Sequence, residues 1–255
     1  MINHTQTKSK LANELEWFAT DLGKLLLQQE RQAFERLSAQ LFGLQLLQLG
    51  LLDAQQPLMT DTPVRRQTLI TNHNLGAREG LMQAEYNQLP VQSDAIDAVL
   101  LPHTLDFSVD PQQVLKEVER CLIAEGRVII SGFNPFSLWG IKRRFYGSRK
   151  KAPWHGNFLS YTRLHDWLSL LGFDVEQTEV LMFRPPLEKL SIMHKLEFLE
   201  SGGQKLWPMF AGIYVVKAVK RISTLTPIRP VWKRRPRLLA SPQVVEPTTR
   251  GVRHG

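Results

Sequence analysis

The chain has 255 residues, an apolar fraction of 43% and a single cysteine, Cys121. This length and composition fit one α/β domain with a tail, and one cysteine excludes an internal disulfide and a cysteine-rich metal site. We expect no metal ligands and a reducing, cytoplasmic location. The net charge of +8 lies almost wholly in the C-terminal part, since residues 221–255 contribute +7 and the rest +1.

The N-terminal part predicts helix rather than a signal or a membrane span. Apolar residues recur at helical spacing between residues 11 and 41, which indicates one long helix or two joined near residues 21–23. No apolar run anywhere reaches the roughly 20 residues that a membrane-spanning helix needs. We therefore expect an N-terminal helical segment, residues 1–43, and no membrane span.

The middle of the chain predicts two buried parallel strands joined by a helix. Residues 98–101 and 127–131 are short apolar runs rich in branched side chains, which is typical of strands buried on both faces. Between them, Asp110 stands at an N-cap and Pro111 at the first helical position. Gly126 is expected to end this helix in a left-handed conformation. Such a unit makes a right-handed crossover between parallel strands.

Further strands and helices are predicted on either side of this unit. The expected strands are residues 44–50, 67–71, about 173–183 and 212–220, and the expected helices are residues 159–171 and 187–199. Pro57 and Pro63 leave little room for a full helix between the first two strands.

The same central residues carry a family resemblance. Leu89-Pro90, Asp97, Asp110-Pro111, Glu117 and Arg120 resemble, in this order, the second half of a class I S-adenosylmethionine-dependent methyltransferase domain of the type-11 group. Residues 134–140 resemble a small bacterial branch of it. The resemblance implies an α/β fold with a Rossmann-like, seven-stranded, mostly parallel sheet, an antiparallel last strand and helices on both faces. It places this domain at residues 44–220.

The resemblance also implies S-adenosylmethionine as cofactor and assigns it contacts. The residues at the matching positions are Gly50, Asn72, Glu85, Leu101 and His103. The chain departs from the family at two of them: Gly50 alone remains of the glycine-rich loop, and Asn72 stands in place of the acidic residue that binds the ribose. An amide gives up charge-assisted hydrogen bonds to the ribose hydroxyls. Glu85 matches the residue that receives the adenine amino group, or it is an exposed loop carboxylate.

His103 is the candidate catalytic residue. Methyl transfer from a sulfonium is a direct displacement, so the protein aligns donor and acceptor and, for a protonated acceptor, removes a proton. A histidine just beyond a strand end suits that base at neutral pH. The alternative is that His103 only lines the pocket.

Two basic segments bear on partners. The insertion 139–156 interleaves basic and aromatic residues, a pattern that contacts phosphates and stacks on rings, so it favours an anionic substrate or nucleic acid. A solvated charge run is the competing interpretation. Residues 221–255 are predicted to be a disordered basic tail that contacts nucleic acid or an acidic membrane surface, or only aids solubility.

The function predicted from these residues is methyl transfer from S-adenosylmethionine to an unidentified acceptor. The degenerate cofactor loop keeps a second hypothesis open: a catalytically inactive methyltransferase-fold protein that serves binding or regulation, in association with nucleic acid.

Overall fold

The computed structural model describes residues 13–39, 41, 43–50, 64, 66–72, 80–145, 152–187, 196, 200, 202–203 and 207–221. The chain divides into two units, Met1–Ile222 and Ser223–Gly255, and every described residue belongs to the first. The predictions for the cofactor loop beyond Gly50, for most of the helix at 187–199 and for the tail lie outside the described residues.

Seven strands form one sheet in the order β3-β2-β1-β4-β5-β7-β6. The pairings among β1 to β5 are parallel, whereas β7 runs antiparallel to both of its neighbours, β5 and β6. The predicted sheet with its antiparallel last strand is therefore confirmed. The strands are β1 (Gln45–Leu49), β2 (Arg66–Thr71), β3 (Leu81–Gln83), β4 (Ile96–Pro102), β5 (Leu122–Phe133), β6 (Phe173–Leu181) and β7 (Ile213–Lys220).

Helices cover both faces of the sheet. They are α1 (Asp21–Ser38), α2 (Thr104–Phe107), α3 (Pro111–Cys121), α4 (Leu138–Phe145) and α5 (Tyr161–Leu170), and a helical segment at 13–18 precedes them. The N-terminal helices separate at Thr20, whose side chain caps α1, in agreement with the junction predicted near residues 21–23. A hydroxyl at that position satisfies a helical N–H that would otherwise lack a partner.

Each face has its own apolar core. On one face, Leu26 and Phe34 of α1 pack with Leu100 of β4 and with Phe133. On the other face, the buried sides of α3 and α5 pack on alternate residues of the same strands, including Leu101. Successive side chains of a strand point to opposite faces, so a central parallel strand must be apolar throughout.

The predicted start of α3 is confirmed, and its predicted end is wrong. The Asp110 carboxylate accepts the backbone N–H of Gln113 at 3.0 Å, and Pro111 opens the helix. The helix ends at Cys121, where the chain passes directly into β5, and the residue in the left-handed region is Glu125 rather than Gly126. Gly126 instead allows a close approach, because a Cβ there would lie 2.8 Å from the carbonyl oxygen of Ile123.

Among the residues that the structure describes, no helix has both the length and the apolar character needed to cross a membrane.

Candidate functional site

Three of the predicted cofactor residues lie at one edge of the sheet, which we name the cofactor edge and define by Gly50, Asn72 and Glu85. They follow the last residues of β1, β2 and β3, three neighbouring parallel strands whose registers pair Leu49 with Ile70 and Thr71 with Gln83. The carboxyl ends of these strands therefore meet at one level. Ligands of open α/β sheets bind at this edge.

Gly50 has the backbone conformation that a cofactor loop requires. Its φ is +94°, a value that L side chains rarely adopt, and a Cβ there would lie 3.0 Å from the Thr104 hydroxyl oxygen. Its own N–H is held by the carbonyl of Ile70 at 3.0 Å. Because glycine has no side chain, only backbone atoms are present at the position where the cofactor loop begins.

Asn72 presents an amide oxygen that lacks a partner. The Oδ1 atom is buried and has no hydrogen-bond partner within the described part of the chain. Nearby, the Tyr86 hydroxyl hydrogen-bonds the Thr71 side chain and the Asn72 backbone, and burial raises the pKa of Tyr86. Buried polar atoms are nearly always paired, so an unpaired acceptor at a strand end fits a missing donor such as a ribose hydroxyl.

Glu85 is exposed two residues beyond the end of β3. Its backbone carbonyl closes a turn with the N–H of Gln88 at 3.2 Å, which leaves the side chain at the cofactor edge. An exposed carboxylate can accept hydrogen bonds from an amino group. The cofactor edge therefore contains backbone, amide and carboxylate groups that fit S-adenosylmethionine.

Leu101 and His103 differ from these three because neither has exposed surface. The Leu101 side chain packs into the core on the α3 face, and its backbone pairs with Ile130 of β5. The structure brings His103 to the end of β4, as expected, but its ring points into the protein.

His103 lies between two carboxylates, which together make a buried triad of Glu30, His103 and Asp106. The Nε2 atom lies 2.9 Å from Glu30 Oε1 and Nδ1 lies 2.8 Å from Asp106 Oδ2. Asp106 Oδ2 also accepts the N–H of Phe133 at 2.9 Å, and the His103 ring stacks on Phe133 with centroids 4.1 Å apart. All three triad side chains are at most 1% exposed.

The triad keeps the imidazole charged at neutral pH. Burial lowers the pKa of His103, but the two neighbouring carboxylates outweigh it and raise the pKa to about 9. Burial in turn raises the pKa of Asp106 despite the bonds from His103 and Phe133. An imidazolium whose two nitrogens both face carboxylates has no lone pair to offer an acceptor proton. This geometry favours a positioning role over the predicted role as a base.

Glu30 was not among the predicted site residues. It lies in α1 four residues after Leu26 and four before Phe34, so it interrupts an otherwise apolar stripe that faces the sheet. A charged residue on a buried stripe needs a partner of opposite charge. That interruption was the sequence signal for the triad, although the sequence did not name the partner.

The triad predicts a pH dependence of stability. The pKa of His103 is raised from 6.5 to about 9 in the folded chain, so the folded state binds this proton more tightly than the unfolded state. The resulting stabilisation is fully present below pH 6.5 and is lost as the pH rises through about 9. Urea unfolding between pH 6 and pH 9.5 should show this decline, and the decline should be smaller in a His103→Leu variant.

The predicted basic insertion divides between core and surface. The ring of Trp154, one of the aromatic residues predicted to stack on a ligand, is buried in the α1-face core together with Trp139, whereas Phe145 is exposed. Lys142 donates to the carbonyl of Pro186 at 2.6 Å, and Arg143 donates to the carbonyl of Trp154 at 3.2 Å. These two cations help to hold α4 against the neighbouring loops. Residues 146–151 lie outside the described part.

A cleft of about 370 Å³ lies beside Arg143. Its lining includes Asp110 and the first residues of α3, the loop before α5, and Arg143, Arg163 and Trp167. Each guanidinium lies over an aromatic ring, Arg143 over Phe158 and Arg163 over Trp167, with 4.8 Å between the guanidinium carbon and the ring centroid. The two guanidiniums outnumber the one carboxylate of the lining, Asp110, so the cleft carries a net positive charge.

Comparison with known proteins agrees with this architecture. Residues 61–130 match the family described as a methyltransferase domain, type 11. The chain is 29% identical over 217 residues to the uncharacterised protein YafS of Escherichia coli (strain K12), a match that covers 82% of each chain.

Solved structures share the fold at low identity. A structure described as a possible histamine N-methyltransferase, from Thermotoga maritima, aligns with a TM-score of 0.59 at 18% identity over 84% of this chain and 98% of its own. The [4+2]-cyclase SpnF aligns with a TM-score of 0.53 at 16% identity over 76% of this chain and 80% of its own. Residues 61–130 therefore carry the match to the type-11 methyltransferase domain family, and the sheet order and these structures show the class I methyltransferase fold around it.

Proposed function

We propose that the cofactor edge binds S-adenosylmethionine through Gly50, Asn72 and Glu85, and that the chain transfers the methyl group to an anionic acceptor. In this proposal the Gly50 backbone would face the methionine and ribose parts, Asn72 Oδ1 would accept a hydrogen bond from a ribose hydroxyl, and Glu85 would accept one from the adenine amino group. The buried Oδ1 atom of Asn72, to which no described residue donates a hydrogen bond, is the observation that carries the proposal.

Methyl transfer from a sulfonium needs little covalent chemistry from the protein. Bound at Gly50, Asn72 and Glu85, the cofactor would supply a methyl carbon to which the acceptor bonds as the carbon–sulfur bond breaks and its electron pair returns to sulfur. The protein contributes alignment of the two reactants and exclusion of water. The cleft lined by Arg143 and Arg163 supports an acceptor with a carboxylate or phosphate. A cytoplasmic location is part of the proposal, because the one cysteine is a free, buried thiol.

In this proposal His103 and Leu101 support the cofactor edge without touching the ligand. The triad holds α1 to the residues that follow β4, and Thr104, the next residue, donates from its hydroxyl to the carbonyl of Leu49 just before Gly50. His103 therefore positions the start of the cofactor loop through Thr104. In this proposal no side chain removes a proton from the acceptor, because the acceptor has already lost that proton by its own ionisation.

Two substitutions of Asn72 test the cofactor contacts, because one is predicted to lower the affinity for the cofactor product and the other to raise it. Asn72→Ala should weaken binding of S-adenosylhomocysteine about five- to tenfold, because one hydrogen bond is lost. Asn72→Asp should tighten it by a similar factor, because a carboxylate makes charge-assisted bonds to the ribose hydroxyls. Calorimetric titration measures both, with Glu35→Ala on the exposed side of α1 as control. Equal affinities in all variants would refute the role of Asn72.

A second candidate is a methyltransferase-fold protein that binds the cofactor or another ligand without methyl transfer. Two observations favour it: a cofactor loop that retains Gly50 alone at the expected position, and a fold shared with a [4+2]-cyclase. Incubation with cell extract and S-adenosylmethionine labelled in its methyl group separates the candidates. Labelled product that disappears with Glu85→Ala supports the transferase; cofactor binding without any labelled product supports the second candidate.

A further inference from the structure

Seven large apolar side chains are exposed on two segments of the chain that meet at the carboxyl edge of the sheet. We name them the rim patch. Their exposed fractions range from 44% to 82%. Large apolar side chains that are exposed together usually mark an interaction site. The rim patch consists of Phe136, Leu138, Ile141, Phe145, Trp207, Met209 and Phe210.

The two segments of the rim patch leave the sheet at the same place. Antiparallel β5 and β7 pair to their ends, where Phe133 lies opposite Ile213, so the chain after β5 and the chain before β7 lie side by side. The Asn134 side-chain amide joins them by donating to the carbonyls of Met209 and Ala211 at 2.7 and 2.9 Å.

Helix α4 presents an apolar stripe outward. Trp139 is buried and its indole N–H donates to the carbonyl of Arg184, which fixes the rotation of the helix. Leu138, Ile141 and Phe145 then occupy one exposed side at helical spacing. The helix therefore packs against the core through Trp139, and this stripe has no packing partner among the described residues.

The two chain segments that carry the rim patch contain basic residues and no carboxylate. Residues 134–165 include seven Lys or Arg and no Asp or Glu, and residues 201–221 likewise contain no carboxylate. Exposed aromatic and aliphatic side chains on such basic segments suit the interface of an anionic bilayer, where the rings enter the headgroup boundary and the cations meet lipid phosphates. A protein partner would not require such a one-sided charge.

We propose that the rim patch docks the chain peripherally on an anionic membrane surface, so that the carboxyl edge of the sheet faces the bilayer. The docking does not depend on cofactor binding. If the proposed methyl transfer also holds, the acceptor cleft beside Arg143 faces the membrane, which favours an acceptor with an anionic headgroup and an apolar body.

Vesicle co-sedimentation of the full chain tests this docking. The chain should sediment with phosphatidylcholine vesicles that contain phosphatidylglycerol, should sediment much less with phosphatidylcholine alone, and should dissociate as the salt concentration rises. Phe145→Ser should weaken binding about tenfold, since one phenyl ring no longer enters the interface. Arg144→Glu should weaken binding to the anionic vesicles only.

Leu170→Ser is the matched control, because Leu170 is as exposed as Phe145 but ends α5 at the opposite edge of the sheet. It should bind like the parent chain. Two outcomes would overturn the proposal. One is unchanged binding in Phe145→Ser with loss in Arg234→Glu/Arg235→Glu, which assigns binding to the tail. The other is no vesicle binding together with self-association that Phe145→Ser abolishes, which assigns the rim patch to a second copy.

Discussion

Replacement of His103 by leucine is expected to lower the free energy of unfolding by about 3 to 5 kcal/mol, the largest effect on stability predicted here. The substitution keeps the volume but removes the cation between Glu30 and Asp106, both of which are fully buried. Two carboxylates then remain in the interior without a countercharge, which is more costly than the loss of any exposed ion pair. Urea unfolding at pH 7 measures the loss.

A second substitution separates charge from packing. Adding Glu30→Gln to His103→Leu should recover at least about 1 kcal/mol, because one unpaired carboxylate is removed at nearly constant shape. His165→Leu, on the exposed side of α5, should change stability by less than about 0.5 kcal/mol. If His103→Leu kept its stability and lost only methyl transfer, His103 would be a catalytic base rather than a positioning residue.

Gly50→Val is expected to raise the dissociation constant for S-adenosylhomocysteine at least tenfold. At a φ of +94° any side chain is strained, and the new Cβ would lie 3.0 Å from the Thr104 hydroxyl oxygen. The backbone must shift at the point where it approaches the ligand, and branching at Cβ adds bulk there. Calorimetric titration gives the affinity, and circular dichroism shows whether the fold persists.

Gly80→Val is the matched control for strain. Gly80 also has a positive φ, +74°, but a Cβ there would meet only the carbonyl of Gln67 at 3.6 Å, and the residue precedes β3 at the opposite edge of the sheet. It should lose stability through strain while it keeps cofactor affinity. Equal loss of affinity in both variants would mean that the effect of Gly50→Val is a general loss of structure.

The sequence predicted the fold well where local signals were redundant. The β4-α3-β5 unit combined two apolar runs, a capping aspartate and a proline at the first helical position, and the structure confirms all of them. The prediction that Gly126 ends the helix was wrong, because a glycine after a helix suggests a left-handed cap. In the structure Glu125 takes that conformation, and Gly126 allows the backbone to pass closely. Local sequence does not distinguish these two uses of glycine.

The site was harder to predict, because its contacts join distant parts of the chain. His103 looked like an accessible base beyond a strand end, and only the packing of α1 reveals Glu30 at its second nitrogen, 73 positions earlier in the sequence. Trp154 of the insertion looked like a stacking surface, and only the tertiary fold shows it inside the core together with Trp139. The sequence did place Gly50, Asn72 and Glu85 at one edge of the sheet. Each follows the end of a strand, and the ends of neighbouring parallel strands meet at the same edge.

The central claim is that the cofactor edge still binds S-adenosylmethionine with a loop poor in glycine and an asparagine at the ribose position. Calorimetric titration of the full chain with S-adenosylmethionine and with its demethylated product tests this claim directly. The account predicts saturable binding of both at micromolar to submillimolar concentration. No heat of binding for either ligand at millimolar concentration, from a chain whose unfolding remains cooperative, would contradict it.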